Sequence, residues 1–225
     1  MPGGSINLAD ATLAMLHGIG NYAGVGVWDR VTDLGDVNGD GVDNLAISST
    51  TEDGNNGGVF VFLGPASGLL DPHSADGQFL GSEADLSLGV DIAGGHDLDG
   101  DGRGDLFASD EGNDSVASGG GALYAITGSL AQAGETAALA DVTIVGAQPN
   151  LRFRFDVGDV DGDVRADLLL GTGSSHLSAS GHGFAGSAGM AYLFHGPTSG
   201  THTESDAATA IVGSDKTFGR DVLLS

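Results

Sequence analysis

An all-β fold, and within it a β-propeller of four-stranded antiparallel blades, is predicted by three features: a repeat of about 60 residues, short apolar segments bounded by turn residues, and a composition poor in helix signals. The 225 residues include 41 Gly, and no long stretch carries the 3.6-residue periodicity of an amphipathic helix. Glycine at that density breaks helices and supplies tight turns, so short strands are the expected elements.

The repeat is set by three acidic nonapeptides. "DVNGDGVDN" occupies 36–44, "DLDGDGRGD" 97–105 and "DVDGDVRAD" 159–167, with starts 61 and 62 residues apart. Each is preceded by one apolar segment ("WDRVTDLGD", "LGVDIAGGHD", "LRFRFDVGD") and followed by "LAIS", "LFAS" or "LLLG". A third segment ends in Gly ("VFVFLG", "LYAITG", "AYLFHG"), and a fourth closes the unit ("QFLGS", "VTIVGA", "AIVGS"). Four segments rich in Val, Ile, Leu, Phe and Tyr make one four-stranded sheet, which cannot bury both faces alone and must stack on its neighbours. The units run approximately 18–81, 82–146 and 147–213, with a lone strand near 11–16 and a further partial repeat at 214–225 in "FGRDVLLS". That is about three and a half blades, against the four to eight that usually close a ring. More repeats in a longer protein, or a second chain, would complete it.

The charge narrows the partners. Against 31 acidic residues stand 7 basic ones, for a formal net charge of −24, which disfavours nucleic acid and anionic membranes and favours cations. Only five acids are Glu, so the acidity is nearly all Asp, a residue suited to turns and to hard-metal loops. There is no cysteine, no apolar run long enough to span a membrane and no visible signal peptide.

A hard dication takes six to eight oxygens, and a nine-residue turn can offer them from side chains at positions 1, 3 and 5, a carbonyl at 7 and a carboxylate at 9. The expected Ca²⁺ ligands, for up to three sites, are Asp36, Asn38, Asp40, Asn44 and the carbonyl of Val42; Asp97, Asp99, Asp101, Asp105 and the carbonyl of Arg103; and Asp159, Asp161, Asp163, Asp167 and the carbonyl of Arg165. Mg²⁺ holds its waters and prefers strict octahedra, and transition metals favour His or Cys. An EF-hand needs Glu at position 12 and flanking helices, whereas position 12 is Ile47, Ala108 or Leu170 and strand patterns follow. The second loop should bind best. The first has Asn44 at position 9, with Asp43 beside it, and the third replaces the turn glycine with Val164, which is poorly suited to positive φ.

The arrangement "WDRVTDLGDVNGDG" or "FGRDV", followed by an apolar strand, resembles the FG-GAP repeat of integrin alpha-chain propellers and of many bacterial secreted or surface proteins, from about residue 9 onward. The Phe-Gly pair stands at Phe218 and Gly219. Trp28-Asp29 and Leu151-Arg152 occupy the matching places, and Leu88-Gly89 lies one position away. In that family seven repeats close one propeller and calcium loops join the first two strands of a blade. The resemblance implies a non-enzymatic, extracellular or cell-surface scaffold for adhesion or protein interaction, whose other loops take a protein or carbohydrate ligand. The alternative it allows is the propeller part of a secreted polysaccharide-acting hydrolase or lyase.

Other motifs carry less. "GHGFAG" at 181–186 fits the dinucleotide pattern but precedes a strand, not a helix, and reads as a flexible loop; it lies in the longest strand-to-strand connection, the candidate if the chain carries a ligand loop. His176 and His182 share that loop, and His96 adjoins Asp97. Nothing sets a glycosidase separation among Glu52, Glu83 and Glu111, and Asn113-Asp114-Ser115 matches a glycosylation acceptor by pattern.

Overall fold

The computed structural model describes residues 14–16, 30–51, 56–82, 87–149, 151, 153–172, 189–197, 199–213 and 223. Trp28-Asp29, Arg152, Phe218-Gly219, the 181–186 motif, His176, His182, Glu52 and Glu83 lie outside the described residues. The chain is all-β, with one four-residue helix and two short 3₁₀ turns among the described residues.

The first sheet contains β2 (Val31–Gly35), β3 (Asn44–Ser49), β4 (Gly58–Phe62) and β6 (Gly77–Leu80), each antiparallel to the next. The second repeats this with β7 (Leu88–His96), β8 (Asp105–Asp110), β9 (Ala122–Ile126) and β11 (Val142–Val145). β12 (Arg154–Gly158), β13 (Asp167–Thr172), β14 (Met190–Phe194) and β16 (Thr209–Val212) form the third. The three strand sets match the apolar segments of the three repeats.

The sheets pack face to face in sequence order because successive residues of a strand point to opposite sides, giving each middle strand two apolar faces. Leu34, Val61 and Phe79 of the first sheet meet Leu106, Tyr124 and Ile126 of the second. Phe107, Leu123 and Ile144 of the second meet Phe155, Leu168 and Tyr192 of the third. Ile47, Phe60 and Phe62 cluster on the other face of the first sheet.

A fifth strand was not evident from the apolar pattern. Within each unit, between its third and fourth strands, a short segment leaves its own sheet and pairs in parallel with the outer strand of the preceding one. β10 (Ala133–Glu135) joins β6, and β15 (Gly200–Thr203) joins β11. β5 (Gly68–Leu70) likewise pairs with β1 (Ala14–Leu16), the lone strand at the N-terminal side. A helical turn follows each donated strand: Pro72–Ser74, α1 (Thr136–Leu139) and Glu204–Asp206. In two of them the first residue grips the preceding sheet, as Thr136 Oγ1 donates to Leu80 O (3.1 Å) and Glu204 Oε2 accepts from Ala147 N (2.8 Å).

Candidate metal centres

Each acidic nonapeptide turns between the first and second strands of its sheet, β2–β3, β7–β8 and β12–β13, as the sequence predicts. The turns are wound by aspartates accepting from backbone N–H groups a few residues ahead, the local bonding that makes Asp a turn former. In the second loop Asp97 accepts from Gly100 N (2.6 Å) and Gly102 N (2.7 Å), Asp99 from Asp101 N (3.0 Å) and Asp101 from Arg103 N (2.8 Å). Asp159, Asp161 and Asp163 repeat this, with bonds of 2.7 to 3.1 Å to Gly162, Asp163, Val164 and Arg165. In the first loop Asp36 accepts from Gly39, Asp40 and Gly41, and those N–H donors, Gly41 foremost, hold its carboxyl below the usual range.

Asp97, Asp99 and Asp101 each bring one oxygen within 4.8 Å of the others, and so do Asp159, Asp161 and Asp163. Oxygens at 2.3–2.6 Å from one ion are at most about 5 Å apart, and the spacing of both trios falls within that limit. The donor set is all oxygen, and Oδ2 of Asp99 and of Asp101 is not used in the hydrogen bonds that wind the turn.

Position 9 behaves differently from the other carboxylates. Asp105 and Asp167 are each 1% exposed, and their Oδ2 atoms accept from the position-2 N–H of their own loop, Leu98 (2.6 Å) and Val160 (2.7 Å). Asp105 stands outside the close trio of its loop. Burial pushes its carboxyl up to about 7, Asp99, Asp97 and Asp101 push the same way, and the Leu98 N–H opposes them. Asn44 fills this place in the first loop, where its amide donates to Gly35 O (2.9 Å) and Val42 O (3.1 Å), occupying the carbonyl expected at position 7. Asn38 Nδ2 also donates to Asp40 Oδ2 (3.0 Å), so the first loop spends donor oxygens on its own amides.

Glycine at position 4 serves two purposes. Gly39 and Gly100 have φ of +79° and +86°, and each faces the arginine at position 7 of the next loop. A Cβ on Gly39 would lie 3.5 Å from Arg103 Nη2, and one on Gly100 would lie 3.2 Å from Arg165 Nε and Nη2. Two of the 7 basic residues thus lie against the acidic loop of the preceding sheet. Ala166 N donates to Asp97 O (2.7 Å) across the same junction. At position 6, Val164 adopts φ of +74° with its side chain 83% exposed, so the third loop keeps the turn despite lacking glycine.

One residue escaped the sequence reading. His195, just after β14, places Nδ1 3.3 Å from both Asp161 Oδ2 and Asp167 Oδ1. Its counterparts after β4 and β9 are Leu63 and Thr127, so the repeat alignment alone marks this histidine as unusual. His96 is exposed. Glu111 is paired with Arg154 (2.9 Å), and Asn113 is 3% exposed and donates to Tyr124 Oη (3.0 Å), which leaves the glycosylation pattern without an accessible acceptor.

No family model matches the sequence. Among solved structures the chain is similar to the crystal structure of the rhamnogalacturonan lyase YesW, with a TM-score of 0.42 and 14% identity over 83% of this chain. The chain spans about a third of that enzyme, 35% of its length. No helix among the described residues is long and apolar enough to cross a membrane.

Proposed function

We propose that the chain is a calcium-binding β-propeller scaffold, non-enzymatic and working outside the cell or at its surface, where it presents loops for adhesion or protein interaction. The observation that carries this reading is the recurrence of one oxygen-rich turn at the same place in three consecutive stacked sheets. A single acidic turn is common in any protein. Three in register, two of them with carboxylate trios spaced for a hard cation, fit a structural ion in each blade hairpin.

Asp97, Asp99 and Asp101 would hold the ion in the second loop and Asp159, Asp161 and Asp163 in the third, with Asp36, Asn38 and Asp40 forming a poorer first site. The ion would relieve repulsion that the chain's few lysines and arginines leave standing. Sites with Kd in the 10⁻⁴–10⁻³ M class suit extracellular calcium, which connects the loop chemistry to the location.

Thermal unfolding of chelator-stripped protein across a calcium titration tests the reading, with magnesium as the control. The midpoint should climb with calcium and hardly with magnesium. A midpoint indifferent to calcium would reduce the loops to empty acidic turns and remove the basis for the scaffold assignment.

A further inference from the structure

Asp161, Asp167 and His195 gather at the third hairpin from three separate places: the acidic turn, the first residue of β13 and the residue after β14. Each brings one ligand atom within 4.8 Å of the others. His195 Nδ1 stands 3.3 Å from Asp161 Oδ2 and 3.3 Å from Asp167 Oδ1. An N–H···O hydrogen bond is usually shorter, roughly 2.7–3.2 Å. Metal bonds of about 2.0–2.1 Å meeting at the tetrahedral angle, by contrast, put their ligand atoms roughly 3.3–3.4 Å apart.

The fold accounts for the buried carboxylate but not for the histidine. Asp167 is 1% exposed, its Oδ2 accepts from Val160 N (2.7 Å) and its Oδ1 from Gly196 N (3.1 Å). The first hairpin makes the same contact with Asn44, whose Oδ1 accepts from Gly64 N (2.8 Å). Position 9 therefore serves the hairpin with either residue, and the first two hairpins close over Leu63 and Thr127 where the third carries His195. Asp161 is poised in the same way: its Oδ1 accepts from Asp163 N (3.1 Å) to wind the turn, and its Oδ2 faces the imidazole.

We infer that Asp161 Oδ2, Asp167 Oδ1 and His195 Nδ1 form a site for a transition dication of the Zn²⁺ kind, separate from the all-oxygen calcium trio and sharing Asp161 with it. Imidazole nitrogen suits such ions, whereas Ca²⁺ takes a shell of oxygens. The two backbone N–H groups on Asp167 fix its carboxylate, as outer hydrogen bonds fix the ligands of metal sites. Two carboxylates and a neutral imidazole, its proton on Nε2, balance the charge of a dication. The side chains of His195 and Asp161 are 40% and 42% exposed, so the ion is reached from solvent and water completes its shell. The inference goes beyond the calcium reading and does not depend on it, although zinc and calcium would compete for Asp161.

The test is isothermal titration of the chelator-stripped full chain with Zn²⁺, and with Mg²⁺ as the control, for the parent, His195→Gln and Asp161→Asn. Both substitutions fall on partly exposed side chains, and Asn is the residue the first loop carries at the place of Asp161, as Asn38, so both variants should fold, which metal-free melting checks. The expected result is one zinc site per chain that each substitution weakens at least about tenfold, with no comparable binding of magnesium. Nitrogen NMR of the imidazole should show zinc shifting Nδ1 of His195 and not Nε2, which a histidine serving only as a counter-ion would not do. No zinc bound up to high-micromolar concentration, binding unchanged in both variants, or ligation through Nε2 would each overturn the site. A chain that holds zinc through His195 while its melting ignores calcium would lose the scaffold reading and keep this site, and a calcium response without zinc binding would do the reverse.

Discussion

Val164 holds a left-handed conformation that a β-branched side chain adopts only under strain, typically about 1–3 kcal/mol. Its side chain is exposed and contributes no core contact, so Val164→Gly should stabilise the protein by about 1 kcal/mol in chemical denaturation. Asp97 winds its turn with both oxygens, and in the proposed site it is also a ligand. Replacing it with Ala should lower bound calcium by one site's worth, read by equilibrium dialysis, and unchanged stoichiometry would remove the second loop from the assignment. Asp105 makes a separate prediction. A carboxyl near 7 in the folded state and about 3.9 in the unfolded chain keeps its proton in the native protein between those values and loses it on unfolding. Metal-free stability should therefore fall as pH rises from about 4 to about 7, by an amount on the order of a few kcal/mol, and level off above. Burial raises Asp91 in the same sense, even with Arg30 3.4 Å away. Asp105→Asn, the residue the first loop already carries at this position, should flatten the slope in urea titrations at several pH values.

At the scale of elements, two devices tie each unit to the one before it. One is the donated strand, whose parallel ladder, with the turn after it, fastens consecutive sheets at their outer edges. The other is electrostatic: Arg30 pairs with Asp91 and Arg154 with Glu111 between consecutive sheets, while Arg103 and Arg165 lie against the preceding acidic loop. A guanidinium over a loop supports it when metal is absent and repels an incoming dication. Arg165→Gln should thus lower metal-free stability while tightening calcium binding at the second loop several-fold, from about 1 kcal/mol of relieved repulsion. Isothermal titration alongside melting of the stripped protein checks both signs, and weaker binding in the variant would contradict the role.

Across the whole molecule the proposed calcium would act by mass action. At concentrations one to ten times Kd each proposed site would contribute roughly 0.4–1.4 kcal/mol, and three together about 1–4, against a total of roughly 5–15. For a domain of this size that is a rise of about 2–4 °C for each kcal/mol. Three bound ions would bring the formal charge from −24 to −18, so the metal-free protein should respond to added salt more than a loaded one.

The sequence by itself determined the strands, their grouping by fours and the place of the acidic loops. These depend on local rules: alternating apolar residues form strands, and Asp-Gly spacing winds a turn from bonds two to five residues apart. It also marked the unequal loops at Asn44 and Val164, and the structure adds how each is accommodated. Only the tertiary structure decided the rest. β10 and β15, "AGE" and "GTHT", show no apolar alternation because backbone bonds to another sheet hold them, and those bonds leave little trace in side-chain pattern. The burial that raises Asp105, the approach of Arg165 to Gly100 and the meeting of His195 with Asp161 and Asp167 all join residues from different strands or sheets. Their physical cause is packing between segments distant in the chain, which a reading of neighbours along the sequence does not reach.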